Sequence, residues 1–422
     1  MNFAEWRKDK NRIYDGIFFG MLFVIYTAVT FVLFSRQSYG TEMLYHSDMK
    51  AYILEMQGLD SGYPFPYPLF FKFAALFHLV IATPEMSVVV ALTVLNSLSL
   101  IVTKYYADTV LLRDMEVQGR WKSLLLRLSV TALVFALFFV SMIYSVTGVQ
   151  LPGIFRRYRG VFSPNPFHNA TYMATRPFAI ATFFVFVRVL REYEQKWKWR
   201  EGLLFGTLLF LSTITKPSFT FILVPAAGLI MLQRLFKAKW KNFRPTLYLG
   251  LCFLPTFGAL LYQFFGVFGP VEGEETGIGF ALGKAWSYHC TNIPLAVALG
   301  LAFPIVVLIL NIRDLKKDGA FRLAWQITAV SLAEALFFYE KGYRIGDMNF
   351  SWGYMHGMFF AFVASAFLLF GKTWNCYKNK SEKEKTTIPG RLILWGQWTF
   401  FVWHLLCGLW YFRSIFIGEL YY

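Results

Sequence analysis

The sequence predicts an all-α protein that crosses a membrane many times. Of its 422 residues, 56% are hydrophobic and only 16% are charged, whereas roughly a quarter of the residues in a soluble domain are charged. Apolar runs of about 20 residues recur from end to end, and each could cross a hydrocarbon core of ~30 Å as a helix. A transmembrane barrel would show short segments of alternating hydrophobicity instead. We expect about eleven transmembrane helices in one membrane domain, with interfacial helices in the first outer loop.

The charge distribution predicts the orientation of the chain. The net charge is +16, and Lys and Arg concentrate in the short loops between apolar runs, as in cytoplasmic loops. Orientation accounts for most of this charge, so we expect no nucleic-acid partner. The N-terminus is basic, and the apolar run that follows is too long for a cleaved signal peptide. We therefore expect a multi-pass protein of a bacterial cell membrane with a cytoplasmic N-terminus.

The predicted spans alternate in direction, which places nearly every strongly basic loop inside. In order they are Ile13–Phe34, Met86–Leu112, Leu124–Val146, Thr171–Leu190, Leu203–Ile214, Phe219–Leu235, Thr246–Phe265, Ile293–Ile312, Leu323–Tyr339, Tyr354–Leu369 and Leu392–Phe412.

The first outer loop, residues 35–85, contains a shorter apolar run. Leu69–Ala82 has only about 14 residues, which predicts an interfacial helix and not a span. Counting it as a span would place the later basic clusters outside. One exception to the charge rule remains, because Arg156, Arg157 and Arg159 fall outside; they could bind an anionic group or contact lipid headgroups.

This topology brings polar side chains from distant parts of the sequence to the outer face, whereas the inner face carries mostly Lys and Arg. A candidate site therefore faces out. Its candidate binding residues are Tyr45, His46, Asn165, His168, Asn169, Arg176, Lys216, Arg344 and Asp347. The isolated histidines lack metal-ligand spacing, so we assign no metal-binding residues.

Asp48 is the acidic residue of most interest, because it follows the first span and precedes the interfacial helix. Such a carboxylate can act as a general base, bind a metal or be a solvated surface charge. A predicted helix over Thr41–Gly58 places Tyr45, Asp48 and Tyr52 on one face.

Three further charged residues lie at membrane depth. Lys216 and Arg176 each precede a proline, and the residue before proline avoids the helical region, so each predicts a helix break. A cation there can bind phosphate or extend to the interface. Glu334 lies inside the ninth span, where an acid usually has a partner or relays protons.

The order of these parts resembles the GT-C superfamily of membrane glycosyltransferases. The resemblance rests on the basic N-terminus, one span, an outer loop with an acid at Asp48, and the run Tyr67-Pro68-Leu69-Phe70. It implies a GT-C-like module over residues 1–235 and variable transmembrane helices over residues 236–422. Several members carry an Asp-Glu pair where this chain has one acid.

The resemblance implies transfer of a sugar from a polyprenyl-phosphate donor to a glycan or lipid acceptor, among membrane lipids. Asp48 would accept the proton of the acceptor hydroxyl in an inverting displacement. Lys216, Arg176 or Arg344 would stabilise the departing lipid phosphate. No cofactor is implied with certainty, and a divalent metal stays open.

Two other functions are open from the sequence. A polymerase or ligase of lipid-linked oligosaccharides would depend on Arg156, Arg157 and Arg159 more than on Asp48. A transporter or flippase of lipids or solutes would need a path through the bilayer, for which Glu334 and Lys216 are the indication.

Overall fold

The chain is almost entirely helical in the part that the computed structural model describes, which is residues 10–41, 44–113, 119–143, 151–267, 277–378 and 388–419. The helices are α1 Lys10–Tyr39, α2 Met49–Met56, α3 Leu69–His78, α4 Pro84–Ala107, α5 Arg120–Leu137, α6 Arg157–Val161, α7 Ala170–Glu192, α8 Trp199–Thr215, α9 Ser218–Lys237, α10 Phe243–Leu251, α11 Leu254–Val267, α12 Ile293–Leu310, α13 Gly319–Phe337, α14 Ser351–Lys378 and α15 Ile388–Phe416.

Short elements complete the described fold. A π-helical turn, Asp108–Leu112, extends α4. The strands β1, Ile278–Phe280, and β2, Phe338–Glu340, pair antiparallel with Gly279 opposite Tyr339. The 3-10 helices are Trp286–Tyr288, Ile312–Lys316 and Gly342–Asp347.

The helices support a multi-pass integral membrane protein. Within the described ranges, seven helices are long and apolar enough to cross a membrane, or eight if the bent pair α10–α11 is one span. Each of the eleven predicted spans overlaps a helix, but α5, α8 and α13 do not reach the same length and apolarity. The third span, predicted to reach Val146, extends past the end of α5 at Leu137, and its residues 144–146 lie outside the described part. The count of eleven therefore stays a prediction. The predicted interfacial run forms α3, whose 10 residues span only about 15 Å.

Proline breaks the helical path at one of the two predicted places. Lys216 is extended, with φ −167° and ψ 127°, and separates α8 from α9, as expected for the residue before Pro217. The predicted break at Arg176 is wrong, because α7 continues through Pro177. Arg176 is fully buried, and packing on every side of α7 outweighs the local preference.

The first loop also differs from its prediction. The helix begins at Met49, and Asp48 is its N-cap residue, so the predicted helix over Thr41–Gly58 is too long. Tyr45 therefore precedes the helix. Asp48 and Tyr52 still meet one turn apart, and the Tyr52 hydroxyl donates to Asp48 Oδ2 at 3.3 Å.

Two apolar cores fill the helical bundle. One lies among α4, α5, α7, α9 and α14 and is dominated by Phe, Leu and Val. The other surrounds the first loop and the start of α7 and includes Tyr52, Tyr158, Tyr172 and Tyr354. Helices from both sides of residue 235 pack together, since α9 contacts α13 and α14. The polar site described below lies at the second core.

Candidate functional site

A cavity of about 720 Å³ opens at the end of the bundle where the first loop lies. Its lining comes from the first loop, α6, the loop before α7, the Lys216–Pro217 break, α11, and the segment from Glu340 to Met355. Eight of the ten predicted site residues line it, namely Tyr45, His46, Asp48, His168, Asn169, Lys216, Arg344 and Asp347. The structure therefore joins residues that are separated by some 300 positions in the sequence.

Asp48 is held at the cavity by one of its two carboxylate oxygens. Asn169 Nδ2 donates to Asp48 Oδ2 at 2.6 Å, and the Tyr52 hydroxyl donates to the same atom. The Asp48 backbone N–H donates to the His168 carbonyl at 3.3 Å. The Asp48 side chain makes no capping bond to α2, and its hydrogen bonds to described residues all go to Oδ2, which leaves Oδ1 available to the cavity.

Lys216 lies against the same group of residues from the other side. Its ammonium donates to Asn169 Oδ1 at 3.0 Å and to Thr171 Oγ1 at 3.1 Å, and it lies 4.2 Å from the centre of the Trp352 ring. Lys216 is only 7% exposed, and this burial lowers the pKa of its ammonium to about 7.

His168 lies beside Asp48 without a metal-like arrangement. Its ring meets the Tyr158 ring edge-on, with 4.5 Å between centroids. Burial lowers the pKa of His168 to about 4, so the imidazole is neutral at physiological pH. Among the described residues, no three His, Cys, Asp or Glu side chains converge as a metal-binding group.

A second charged group lines the same cavity. Arg344 Nε lies 3.2 Å from Asp347 Oδ2 and 3.4 Å from Glu340 Oε2. Asn349 Nδ2 donates to Glu340 at 2.8 Å, and burial raises the pKa of Glu340. These contacts use Nε of the guanidinium, and among the described residues its terminal nitrogens are left for a ligand.

Arg159 adds a cation that has no partner among the described residues. It is exposed, lines the cavity, and lies on the short helix α6. Arg156, three residues earlier, is also exposed but does not line the cavity. The side chain of Arg157 lies outside the described part. Of the two arginines of this triplet whose side chains are described, Arg159 is thus the one that lines the candidate site.

One wall of the cavity is apolar and partly exposed. It is formed by α11, where Phe257, Leu261 and Phe264 are 48%, 60% and 47% exposed. Gln263 Nε2 anchors α11 to α8 by donating to the Thr213 carbonyl at 2.9 Å. A Cβ at Gly266 would lie 3.0 Å from Pro66 Cβ, so this glycine lets α11 approach the first loop closely. The wall was not predicted, because α11 has the apolar composition of any span.

Two predicted binding residues lie elsewhere. Asn165 and Arg176 are fully buried and do not line the cavity. Asn165 Nδ2 donates to the carbonyls of Leu137 and Val140, and Arg176 Nη1 donates to Asn165 Oδ1 at 2.8 Å. The Arg176 guanidinium also lies 4.3 Å from the Phe138 ring. The prediction that these two residues contact substrate is not supported by the geometry, because both stabilise the loop from within the core.

We expect Asn165→Ala to destabilise the fold. The change removes the hydrogen-bond acceptor of a buried guanidinium and leaves two carbonyls unpaired, which costs about 2–4 kcal/mol. The thermal midpoint in detergent should fall by several degrees. Asn349→Ala, which removes one hydrogen bond at a half-buried residue that lines the cavity, is the control and should lower the midpoint less. Equal midpoints for Asn165→Ala and the parent protein would contradict the structural role.

Glu334 does not join the site. Its Oε2 is buried, faces Gly353, and has no hydrogen-bond partner among the described residues. The residue does not line the cavity. Lys216 and Glu334, the residues of the predicted path, therefore do not line the same cavity in the described part of the chain.

Comparison with known proteins identifies no relative. No model of a protein family matches the chain. No curated protein and no solved structure matches it either.

Proposed function

We propose that this protein is a membrane glycosyltransferase. It transfers a sugar from a polyprenyl-phosphate donor to a glycan or lipid acceptor, with Asp48 as the general base. The observation that carries the proposal is the composition of one cavity, which combines a carboxylate, several cations and a partly exposed apolar wall. A lipid-linked anionic sugar needs each of these three surfaces. The GT-C resemblance carried by Asp48 and the run Tyr67-Pro68-Leu69-Phe70 supports the same reaction.

The apolar wall suits the lipid chain of the donor. Phe257, Leu261 and Phe264 are exposed along one face of α11 while also lining the cavity. A chain lying on this face could bury its apolar surface at about 25 cal/mol per Å² without leaving the membrane. The donor phosphate would then lie near Arg159 and Arg344, whose guanidinium groups can bind two phosphate oxygens each.

The reaction follows as a single displacement. The acceptor hydroxyl gives its proton to Asp48 Oδ1 as its oxygen forms a bond to the anomeric carbon. The bond between that carbon and the phosphate oxygen breaks, and its electron pair remains on the polyprenyl phosphate. Arg159 and Arg344 stabilise the charge that develops on this leaving group. The bound proton then passes from Asp48 to water.

The proposal includes an orientation. With eleven spans and a cytoplasmic N-terminus, the cavity lies on the outer face of a bacterial cell membrane. The ion pair between Lys104 and Asp15, at 2.8 Å, then lies at the cytoplasmic end of the bundle. The donor would enter the cavity from the membrane, and the acceptor would enter from the outer aqueous side.

A polymerase or ligase of lipid-linked oligosaccharides is the second candidate. It is favoured by Arg159, which lines the cavity without a partner in the described chain. Such an enzyme would use the same donors and the same cavity. It would differ in depending on Arg159 more than on Asp48.

Turnover tests the proposal directly. The purified protein in lipid vesicles is incubated with a panel of polyprenyl-phosphate hexoses and pentoses, together with membrane glycan and lipid acceptors. We expect donor to be consumed and glycosylated product to accumulate with at least one pair. Absence of turnover across the panel, with movement of donor between the leaflets, would contradict a transferase and favour a flippase.

A further inference from the structure

The contacts around Asn169 show a role that differs from substrate binding. Its side chain is 2% exposed, and all of its polar atoms are occupied. Nδ2 donates to Asp48 Oδ2 at 2.6 Å and to the Tyr52 hydroxyl at 2.8 Å. Oδ1 accepts from Lys216, Thr171 and the Tyr172 backbone N–H. No atom of this amide remains for a sugar.

These partners fix which way the amide points. The Tyr172 backbone N–H can only donate a hydrogen bond, as can the charged form of Lys216, so the Asn169 atom that faces them must be oxygen. The NH₂ group must therefore face Asp48, which must accept. The network leaves Asp48 Oδ1 as the oxygen that is free to receive a proton from an acceptor.

The Lys216 ammonium is also engaged by neighbouring side chains. An ammonium has three N–H donors. Two are directed at Asn169 and Thr171, and the Trp352 ring covers the ammonium at 4.2 Å. The predicted role of Lys216 as a phosphate ligand would require breaking these contacts, whereas Arg159 is exposed and unpaired in the described chain.

We propose that Asn169 and Lys216 are positioning residues for Asp48, with Lys216 acting through the Asn169 amide. Lys216 orients the amide, and the amide holds Oδ2 so that Oδ1 faces the cavity as the proton acceptor. The proposed function enters only in the statement that Oδ1 takes the proton of the acceptor hydroxyl. The arrangement of Lys216, Asn169 and Asp48 can be tested without any turnover.

Several other titratable groups surround Asp48 and must be kept unchanged in a test. They are Tyr52 on α2, Tyr67 before α3, Tyr158 on α6, and the histidines His46 and His168. Because hydrogen bonds to the ionised form favour that form, removing the Asn169 amide should make the Asp48 carboxylate easier to protonate.

The experiment measures the reaction of Asp48 with dicyclohexylcarbodiimide, which adds to protonated carboxyl groups, as a function of pH. The labelled Asp48 peptide is quantified by mass spectrometry in vesicles. Asn169→Ser is the main variant, because serine still caps α7 but cannot bridge to Asp48. We expect the pH midpoint of labelling to rise by about one unit, corresponding to one lost hydrogen bond to a charged group.

Two controls accompany this variant. Glu55, on the same helix as Asp48 but outside the cavity, reports on general changes in reagent access and should keep its midpoint. Asn349→Ala removes another cavity-lining amide, which donates to Glu340 and not to Asp48, and should leave the Asp48 midpoint unchanged. An unchanged Asp48 midpoint in Asn169→Ser, with Glu55 also unchanged, would overturn the proposal.

The Lys216→Met variant distinguishes an effect of Lys216 on Asp48 through the Asn169 amide from a direct electrostatic effect. In the parent protein it should raise the Asp48 midpoint, and in the Asn169→Ser background its effect should be at least halved. An equal effect of Lys216→Met in both backgrounds would show that Lys216 acts on Asp48 directly and would overturn the relay. Because no sugar transfer is measured, failure of the glycosyltransferase proposal would be seen separately, in the turnover experiment.

Discussion

Replacing Asp48 with Asn should lower kcat by about 10²–10⁴-fold, the usual contribution of a general base. The amide has nearly the same size as the carboxylate, but it cannot take the acceptor proton. Donor affinity should change little, because the proposed phosphate ligands are Arg159 and Arg344. The measurement is initial-rate kinetics on the donor that the panel identifies, with donor binding measured separately.

Glu55→Gln is the matched control for Asp48→Asn. Glu55 lies on the same helix and carries the same charge, but it does not line the cavity. Its replacement should leave kcat within about twofold, as for a surface site. Full activity in Asp48→Asn would contradict the assignment of the base, whatever the control shows.

Replacing Arg159 with Gln should lower kcat/KM by about 10²–10³-fold. This is the effect of removing one charged group that stabilises a developing anion in a water-poor site. Arg159→Lys should recover part of the loss, because it restores the charge without the paired donors. The measurement compares both variants over a range of donor concentrations.

Arg156→Gln is the control for Arg159. Both arginines are exposed, but only Arg159 lines the cavity. Equal losses in the two variants would indicate general attraction of anionic lipid and contradict a specific phosphate contact. Loss of activity in Arg159→Gln together with an active Asp48→Asn would favour the polymerase or ligase.

The sequence predicted which residues face the site better than it predicted their contacts. The basic loops and the short apolar run Leu69–Ala82 together predicted that Asp48, Lys216 and Arg344 lie at the same end of the bundle. Pro217 makes the break at Lys216 predictable, because it acts on its immediate neighbour. These are local signals, and they can be read from one sequence.

The contacts within the site depend on tertiary packing and could not be predicted. Arg176 has the same local signal as Lys216, a cation before proline, yet it lies buried inside a continuous helix. Asn169 precedes a span like many polar residues, and nothing nearby in sequence shows that it joins Asp48 to Lys216. The wall on α11 is apolar like other spans and is distinguished only by what it faces.

The most direct test asks where a lipid-linked donor binds relative to Asp48. A polyprenyl-phosphate sugar with a photoreactive group in its lipid chain is crosslinked to the protein in vesicles, and labelled peptides are identified. We predict labelling of α11 around Leu261, competed by excess unlabelled donor and retained in Asp48→Asn, which binds but does not turn over. Labelling elsewhere on the bundle, or labelling of α11 that excess donor does not reduce, would contradict a donor site in this cavity.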